Sequence, residues 1–269
     1  MNKKSNNYFR KVCSLFFSLI ICTSLSAQHI DLTFQADSLS EKEQIKVKEI
    51  FQEQIKFYSR FGLPDTIRVT LHVFNDRAEG ETHIKTTGIK IIRRATGWYK
   101  ATPHSTDIYL IGRNELKQKD CFRIIKHELS HVFNCLITNF RIPTWINEGL
   151  AEYLEHSVVK KGELKHAMTK YEEGRIRTMF MLNEIELDSF VDGTKDEFIT
   201  QQITDESYSY ILAHALITFC MEKAPKDFFP QLISALKNKD NSTNIKELIQ
   251  ALYPGGFTQF KEDFATNYQ

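Results

Sequence analysis

Three side chains that suit metal chemistry lie close together in the segment IIKHELSHVF, residues 124–133. His127 and His131 are four residues apart in a chain with nine histidines. A helix places side chains at that spacing on one face, about 6 Å apart, so that both imidazoles can bind one zinc ion. Glu128 lies beside the first histidine and can act as general base toward a water molecule. The spacing therefore predicts a hydrolytic zinc site on a helix.

A catalytic zinc ion needs a third protein ligand, and Glu148 is the candidate. It lies in the segment IPTWINEGLAEYLEH, where Pro143 and Thr144 suit the start of a second helix. Since only residues 138–143 separate the two helices, we expect them to pack antiparallel. The start of the second helix would then face the middle or end of the first, and Glu148 would complete a set of two histidines and one glutamate.

Two further carboxylates follow on the second helix. Glu152, one turn after Glu148, could accept the free N–H of a ligand histidine and fix its tautomer. Glu155 is expected to lie on a solvated face. Among the remaining histidines, His156 is expected at the surface rather than as a ligand, and His166 is expected to be exposed because it lies in a polar stretch.

The motif HELSH, followed by PTWINEGLAEYLE, resembles the gluzincin metallopeptidases, and most closely the group called peptidase MA-like. The resemblance implies a zincin-like α+β fold, with Zn²⁺ held by His127, His131 and Glu148. It also implies that Glu128 is the base and that Glu152 supports a ligand histidine. The sixteen residues between His131 and Glu148 are fewer than in the thermolysin-like and large aminopeptidase branches. No G-x-M-E-N segment is present, so endopeptidase action is favoured over removal of N-terminal residues.

The same resemblance implies a hydrogen-bond donor for the developing oxyanion and a strand that binds substrate. In gluzincins the donor is a Tyr or His on a downstream helix, and Tyr210 in the segment ESYSYILAHALITF fits that position better than Tyr208. His214, one turn after Tyr210, is an alternative donor or orienting residue. Either tyrosine could instead anchor its helix against the core. The strand at the cleft edge could be residues 107–111 or residues 97–101.

Hydrophobic periodicity divides the chain into a mixed α/β part and a helical part. We predict a front lobe at residues 28–117 with a small sheet, a helical lobe at residues 118–269, and an active-site cleft between them. Predicted helices cover about 38–61, 118–138, 144–158, 164–181, 206–223, 225–237, 243–252 and 257–266; predicted strands cover 67–74, two short segments within 84–101, and 106–112.

Residues 1–27 have the pattern of a secretory signal peptide, with a basic start and a short apolar run. The bulky Ile21 before Cys22 argues against a lipoprotein signal. The segment contains four basic and no acidic residues, so its removal changes the formal charge from +1 to −3. Such a charge gives no indication of nucleic-acid binding or attraction to an anionic membrane. The three cysteines that remain exclude a disulfide-stapled scaffold.

These features together predict a secreted or periplasmic zinc peptidase that acts on a peptide or protein substrate, without stable membrane insertion after signal cleavage. Two alternatives remain open. The chain could be a non-catalytic binding or scaffold protein that keeps the fold, or a protease restricted to one partner or a glycoprotein.

Overall fold

The computed structural model describes residues 29–35, 39–91, 95–161, 163–204, 208–238 and 244–269. The predicted signal peptide, including Cys22, lies outside these residues. The chain is α+β and mainly helical, with one small mixed sheet and a separate two-stranded hairpin. Within the described residues, no helix has the length and apolar character needed to cross a membrane.

Four strands form the mixed sheet: β1 (His29–Gln35), β2 (Thr66–Val73), β3 (Gly97–Ala101) and β4 (Thr106–Leu110). Their spatial order is β1-β2-β4-β3. β1 and β4 run parallel to β2, whereas β3 runs antiparallel to β4 and lies at the edge. Ile67, Val69, Leu71 and Val73 alternate along β2 and are all buried, because successive strand residues point to opposite faces.

The helices are α1 (Glu41–Tyr58), α2 (Arg77–Thr86), α3 (Gln118–Ile137), α4 (Thr144–Glu155), α5 (Lys170–Met181), α6 (Leu187–Asp192), α7 (Lys195–Thr204), α8 (Tyr208–Glu222), α9 (Phe228–Asn238), α10 (Ile245–Leu252) and α11 (Gly256–Tyr268). In chain order, α1 lies between β1 and β2, α2 lies between β2 and β3, and the other helices follow the sheet. The hairpin strands β5 (Ser157–Lys160) and β6 (Glu163–His166) lie between α4 and α5.

One continuous hydrophobic core joins α1, the sheet and the later helices. The ring of Phe133 in α3 stacks on Tyr58 in α1, with ring centroids 5.0 Å apart. Trp145 in α4 is only 1% exposed, and its indole N–H donates to the carbonyl of Val191 at 3.0 Å. The core thus crosses the boundary predicted between residues 117 and 118, and the division into lobes stays a prediction.

Two parts of the predicted secondary structure are wrong. The first part of residues 84–101 belongs to α2, which begins after Asp76, whose side chain accepts from the backbone N–H of Glu79 at 2.9 Å. The predicted helices 144–158 and 164–181 extend into the β5–β6 hairpin. Val158 and Val159 are exposed there, and their β-branched side chains favour strand conformation.

Glu43 joins the start of α1 to the segment that leads into α3. Its carboxylate accepts the backbone N–H of Ser40 at 2.9 Å and the guanidinium of Arg113 at 2.5 Å. The backbone hydrogen bond from Ser40 and then the bond from Arg113 lower the pKa of Glu43 to about 2. A carboxylate with a depressed folded-state pKa adds stability above its unfolded pKa, and that stability is lost as pH falls through the folded pKa.

Glu43→Gln should lower the free energy of unfolding by about 1–2 kcal/mol at pH 7, the range for a lost helix cap with a charged partner. The difference from wild type should shrink between about pH 5 and pH 2, as wild-type Glu43 becomes protonated. Urea denaturation across this range measures it. Glu49→Gln, at an exposed position on the same helix, is the matched control. Equal pH profiles for the two variants would contradict the role of Glu43.

Candidate metal centre

The chain between α3 and α4 reverses within six residues. Asn139 and Phe140 have φ of 51° and 62°, a left-handed conformation that turns the backbone sharply at the end of α3. Asn134 then ties the helices together, because its amide donates to the Asn147 carbonyl at 3.0 Å and to the Asn147 side chain at 3.1 Å. Tyr58 donates to Asn134 at 2.7 Å and so joins α1 to this network.

α4 approaches α8 closely at the glycine that follows Glu148. A Cβ atom at Gly149 would lie 2.4 Å from the carbonyl oxygen of Ala213 and 2.6 Å from Ile217. Any side chain at this position would push α4 away from α8. The glycine therefore fixes the depth at which Glu148 is presented to α3.

The three predicted ligands converge. Oε2 of Glu148 lies 3.5 Å from Nε2 of His131 and 3.7 Å from Nε2 of His127. These three residues offer ligand atoms that all lie within 4.8 Å of one another and could hold a metal ion. Ligand atoms around a tetrahedral zinc ion lie about 3.4 Å apart, given bonds of about 2.0–2.2 Å. The donor set of two imidazoles and one carboxylate therefore fits zinc by its chemistry and by its spacing.

Glu155, rather than Glu152, makes the hydrogen bond to the candidate ligand His127. Nδ1 of His127 lies 2.8 Å from Oε2 of Glu155, whereas Oε1 of Glu152 lies 3.7 Å from the same nitrogen. The expectation that Glu155 is solvated is wrong, since its side chain is 9% exposed and also accepts from Arg123 at 2.6 Å. The antiparallel packing explains this, because the last turn of α4 lies beside the turn of α3 that carries His127.

This carboxylate leaves the other nitrogen of His127 available to a metal. An ionised carboxylate only accepts hydrogen bonds, so Nδ1 of His127 carries the hydrogen in its contact with Glu155. Nε2 then bears the lone pair on the side of Glu148. Metal-binding histidines commonly show this arrangement.

Glu128 lies against the edge strand β3. A Cβ atom at Gly97 would lie 2.6 Å from Oε1 of Glu128 and 2.8 Å from its Cγ. The absence of a side chain at Gly97 makes room for the carboxylate between α3 and the strand. Of the two candidate strands, β3 therefore adjoins Glu128, and β4 lies in the sheet interior between β2 and β3.

Burial and neighbouring charges raise the pKa values of His127 and Glu128 and lower that of His131. Burial lowers the pKa of His131 to about 4, so this imidazole is neutral at pH 7, as a metal ligand must be. Burial disfavours charge on His127 as well, but the nearby carboxylate of Glu148 and the hydrogen bond to Glu155 outweigh it and raise its pKa. Burial raises the pKa of Glu128 to about 7, and the charges of Glu148 and Glu155 add to this effect, while that of His127 opposes it.

Tyr99 in β3 is a member of the site that the motifs do not indicate. Its ring lies 4.5 Å from that of His131, centroid to centroid, and its hydroxyl is 3.1 Å from the amide nitrogen of Asn147. The one signal in the sequence is its place in a short strand next to Gly97. The side chain forms part of the wall between β3 and α4.

The three candidate oxyanion donors on α8 occupy different surroundings. Tyr210 is half-buried, and burial, followed by the charges of Glu148, Glu152 and Glu128, raises the pKa of its hydroxyl. The hydroxyl of Tyr208 donates instead to the carbonyl of Glu184 at 2.9 Å. His214 is fully buried, with Nδ1 2.9 Å from Glu172.

A scan against models of known protein families gives no match for this chain, and neither does a search of curated proteins. The likeness to gluzincins thus depends on the sequence motifs in α3 and α4.

Proposed function

We propose that the protein is a zinc-dependent peptidase, with endopeptidase action favoured. The observation that carries the proposal is the convergence of His127, His131 and Glu148 on one point, with Glu128 beside them and outside the ligand set. A base next to a three-ligand metal set is the arrangement that metal-assisted hydrolysis requires.

His127, His131 and Glu148 would hold the zinc ion, which would supply a Lewis acid for the scissile carbonyl and make water more acidic. Glu128 takes a proton from the attacking water and passes it to the leaving amine. Tyr210 donates a hydrogen bond to the oxygen on which negative charge develops. Glu155 holds His127 in the tautomer whose Nε2 faces Glu148.

The substrate in this proposal is an extended peptide that lies along β3. β3 is hydrogen-bonded to β4 on one side and is the last strand in the order of the sheet, so its other edge can pair with a peptide backbone. Gly97 on this strand contacts Glu128, and Tyr99 contacts His131. A peptide on this edge would have its backbone beside the base and the metal ligands.

The proposal includes export, with residues 1–27 as the signal peptide, and it includes no nucleic-acid partner. Two other functions fit the same residues: a non-catalytic scaffold that keeps the site, and a protease restricted to a single partner or glycoprotein. The position of Glu128 favours catalysis over a scaffold, because a purely structural zinc site has no need of a half-buried carboxylate next to its ligands.

A peptide-library cleavage profile of the mature chain, residues 28–269, tests the proposal. We expect cleavage within peptides that 1,10-phenanthroline stops and added zinc restores, because the chelator removes the ion that three side chains hold. Blocking the N-terminus of each peptide should leave the rate unchanged for an endopeptidase. Zinc binding without cleavage of any peptide or unfolded protein would favour the scaffold function instead.

A further inference from the structure

A second group of side chains that could bind a metal ion includes Glu152. Glu152, His156, Glu172 and His214 each offer a ligand atom, and these atoms all lie within 4.8 Å of one another. The residues come from the end of α4, from α5 and from α8. This group shares no member with the set of His127, His131 and Glu148.

His214 is the buried centre of this group. It is 0% exposed, and both of its ring nitrogens have polar neighbours. Nδ1 lies 2.9 Å from Oε1 of Glu172, and Nε2 lies 2.8 Å from Nε2 of His166. His166 in turn has its Nδ1 3.0 Å from Oε1 of Glu222.

Three contacts lie along this chain: Glu222 with His166, His166 with His214, and His214 with Glu172. Ionised carboxylates only accept hydrogen bonds, and each neutral imidazole carries one ring N–H. Two neutral rings therefore bring two hydrogens to three contacts, so one contact has none. With the hydrogens on Nδ1 of His166 and Nε2 of His214, that contact is the one in which a lone pair on Nδ1 of His214 faces the carboxylate oxygen of Glu172, 2.9 Å away.

Two lone pairs at this distance repel each other unless a cation lies between or beside them. The cation can be a proton, which makes His214 an imidazolium, or a metal ion bound by both atoms. His156 and Glu152 favour the metal ion, because they bring a second imidazole and a second carboxylate to the same point. The His214 ring lies 5.0 Å from that of His156, centroid to centroid.

We propose that Glu152, His156, Glu172 and His214 form a second binding site for a divalent transition metal ion. The donor set of two imidazoles and two carboxylates suits zinc, and manganese or iron as well. His166 and Glu222 hold His214 in the tautomer that presents Nδ1, the positioning that carboxylate–histidine pairs provide at metal sites.

The second site gives Glu152 a role that the first site does not. Its Oε1 is 3.7 Å from Nδ1 of His127, and Glu155 already occupies that nitrogen at 2.8 Å. Its Oε2 lies 3.6 Å from Nδ1 of His156, which donates to the backbone carbonyl of Glu152 at 3.0 Å and so leaves Nε2 of His156 for a metal ion. Glu152 thus lies between the two sites as a ligand of the second.

Metal stoichiometry tests this proposal independently of hydrolysis. Mature protein is equilibrated with zinc, passed through a desalting column and analysed by mass spectrometry for metal per chain. We expect two equivalents for wild type, one for His131→Ala and one for the double variant His156→Ala/Glu172→Gln. His104→Ala, at an exposed histidine, is the matched control and should keep two.

Two further measurements distinguish loss of the second site from poor folding of a variant. In His131→Ala, added Co²⁺ should give a visible absorption band from the second site, and zinc should raise Tm, since a ligand of the folded state stabilises it. His156→Ala in that background should abolish both effects. One zinc equivalent in wild type, with none in His131→Ala, would overturn the second site and leave the first intact. One equivalent lost only in the His156→Ala/Glu172→Gln variant would support the second site and overturn the first.

Discussion

Glu128→Gln should retain the full zinc content of the wild type while kcat/KM for a cleaved peptide falls by about 100-fold or more, the size of a lost general base. The amide has nearly the same shape as the carboxylate and cannot take the proton from water. The shape matters here because Gly97 leaves little space, with Oε1 of Glu128 2.6 Å from where a Cβ atom of residue 97 would lie. A larger substitution would move β3 and confuse the result.

The measurements are zinc per chain, peptide hydrolysis and thermal unfolding of the same preparation. Glu81→Gln in α2 is a matched control, since it makes the same chemical change on a helix away from the site. Turnover near that of wild type in Glu128→Gln would exclude Glu128 as the base. Loss of zinc would instead mean that Glu128 is a metal ligand, contrary to its position outside the ligand set.

The convergence of the first site could be predicted from the sequence because each step is local. The helical repeat places His127 and His131 on one face. Because only six residues separate the two helices, α4 packs antiparallel to α3. Glu148 is near the start of α4, so it falls beside the middle of α3. No contact between distant parts of the chain is needed for this prediction.

The choice between Glu152 and Glu155 could not be made in this way. Both follow Glu148 within two turns and lie near the same helical face, and about 100° of rotation separates neighbouring positions. Which one reaches His127 depends on how deeply α4 packs. The contact of Gly149 with Ala213 in α8, more than 60 residues later, sets that depth.

The second cluster depends even more on tertiary packing. His156 is expected at the surface because it lies two turns after Glu148, and His166 is expected to be exposed because it lies in a polar stretch of sequence. The β5–β6 hairpin brings His166 back onto Tyr153, whose ring it stacks on at 4.0 Å, and its side chain is only 2% exposed.

β1 and α2 are not among the predicted elements. Ile30, Leu32 and Phe34 alternate with polar residues as in a strand, but the parallel partner of β1 is distant in sequence. α2 has few apolar residues, so its own periodicity is weak.

The oxyanion donor offers the second large effect. Tyr210→Phe should keep zinc and thermal stability while kcat falls by roughly 10- to 1000-fold with little change in KM, because the hydrogen bond forms only in the transition state. Burial and then the charges of Glu148, Glu152 and Glu128 raise the pKa of this hydroxyl, so it stays protonated and can donate. The ring packs edge-on against Phe198, with centroids 5.4 Å apart, so Phe at position 210 can keep the same packing.

Tyr208→Phe is the matched control for this measurement. It removes the same atom from a tyrosine two residues away, on a ring whose hydroxyl donates to the carbonyl of Glu184 at 2.9 Å, outside the metal centre. We expect its kcat to match wild type, with a loss of stability of at most about 1 kcal/mol from the hydrogen bond. If Tyr208→Phe carries the loss in kcat instead, the donor is assigned to the wrong tyrosine. If neither variant loses activity, α8 does not supply the donor through a tyrosine. A fall in both kcat and zinc content for Tyr210→Phe would mean that the hydroxyl supports Glu148 as a ligand rather than the transition state.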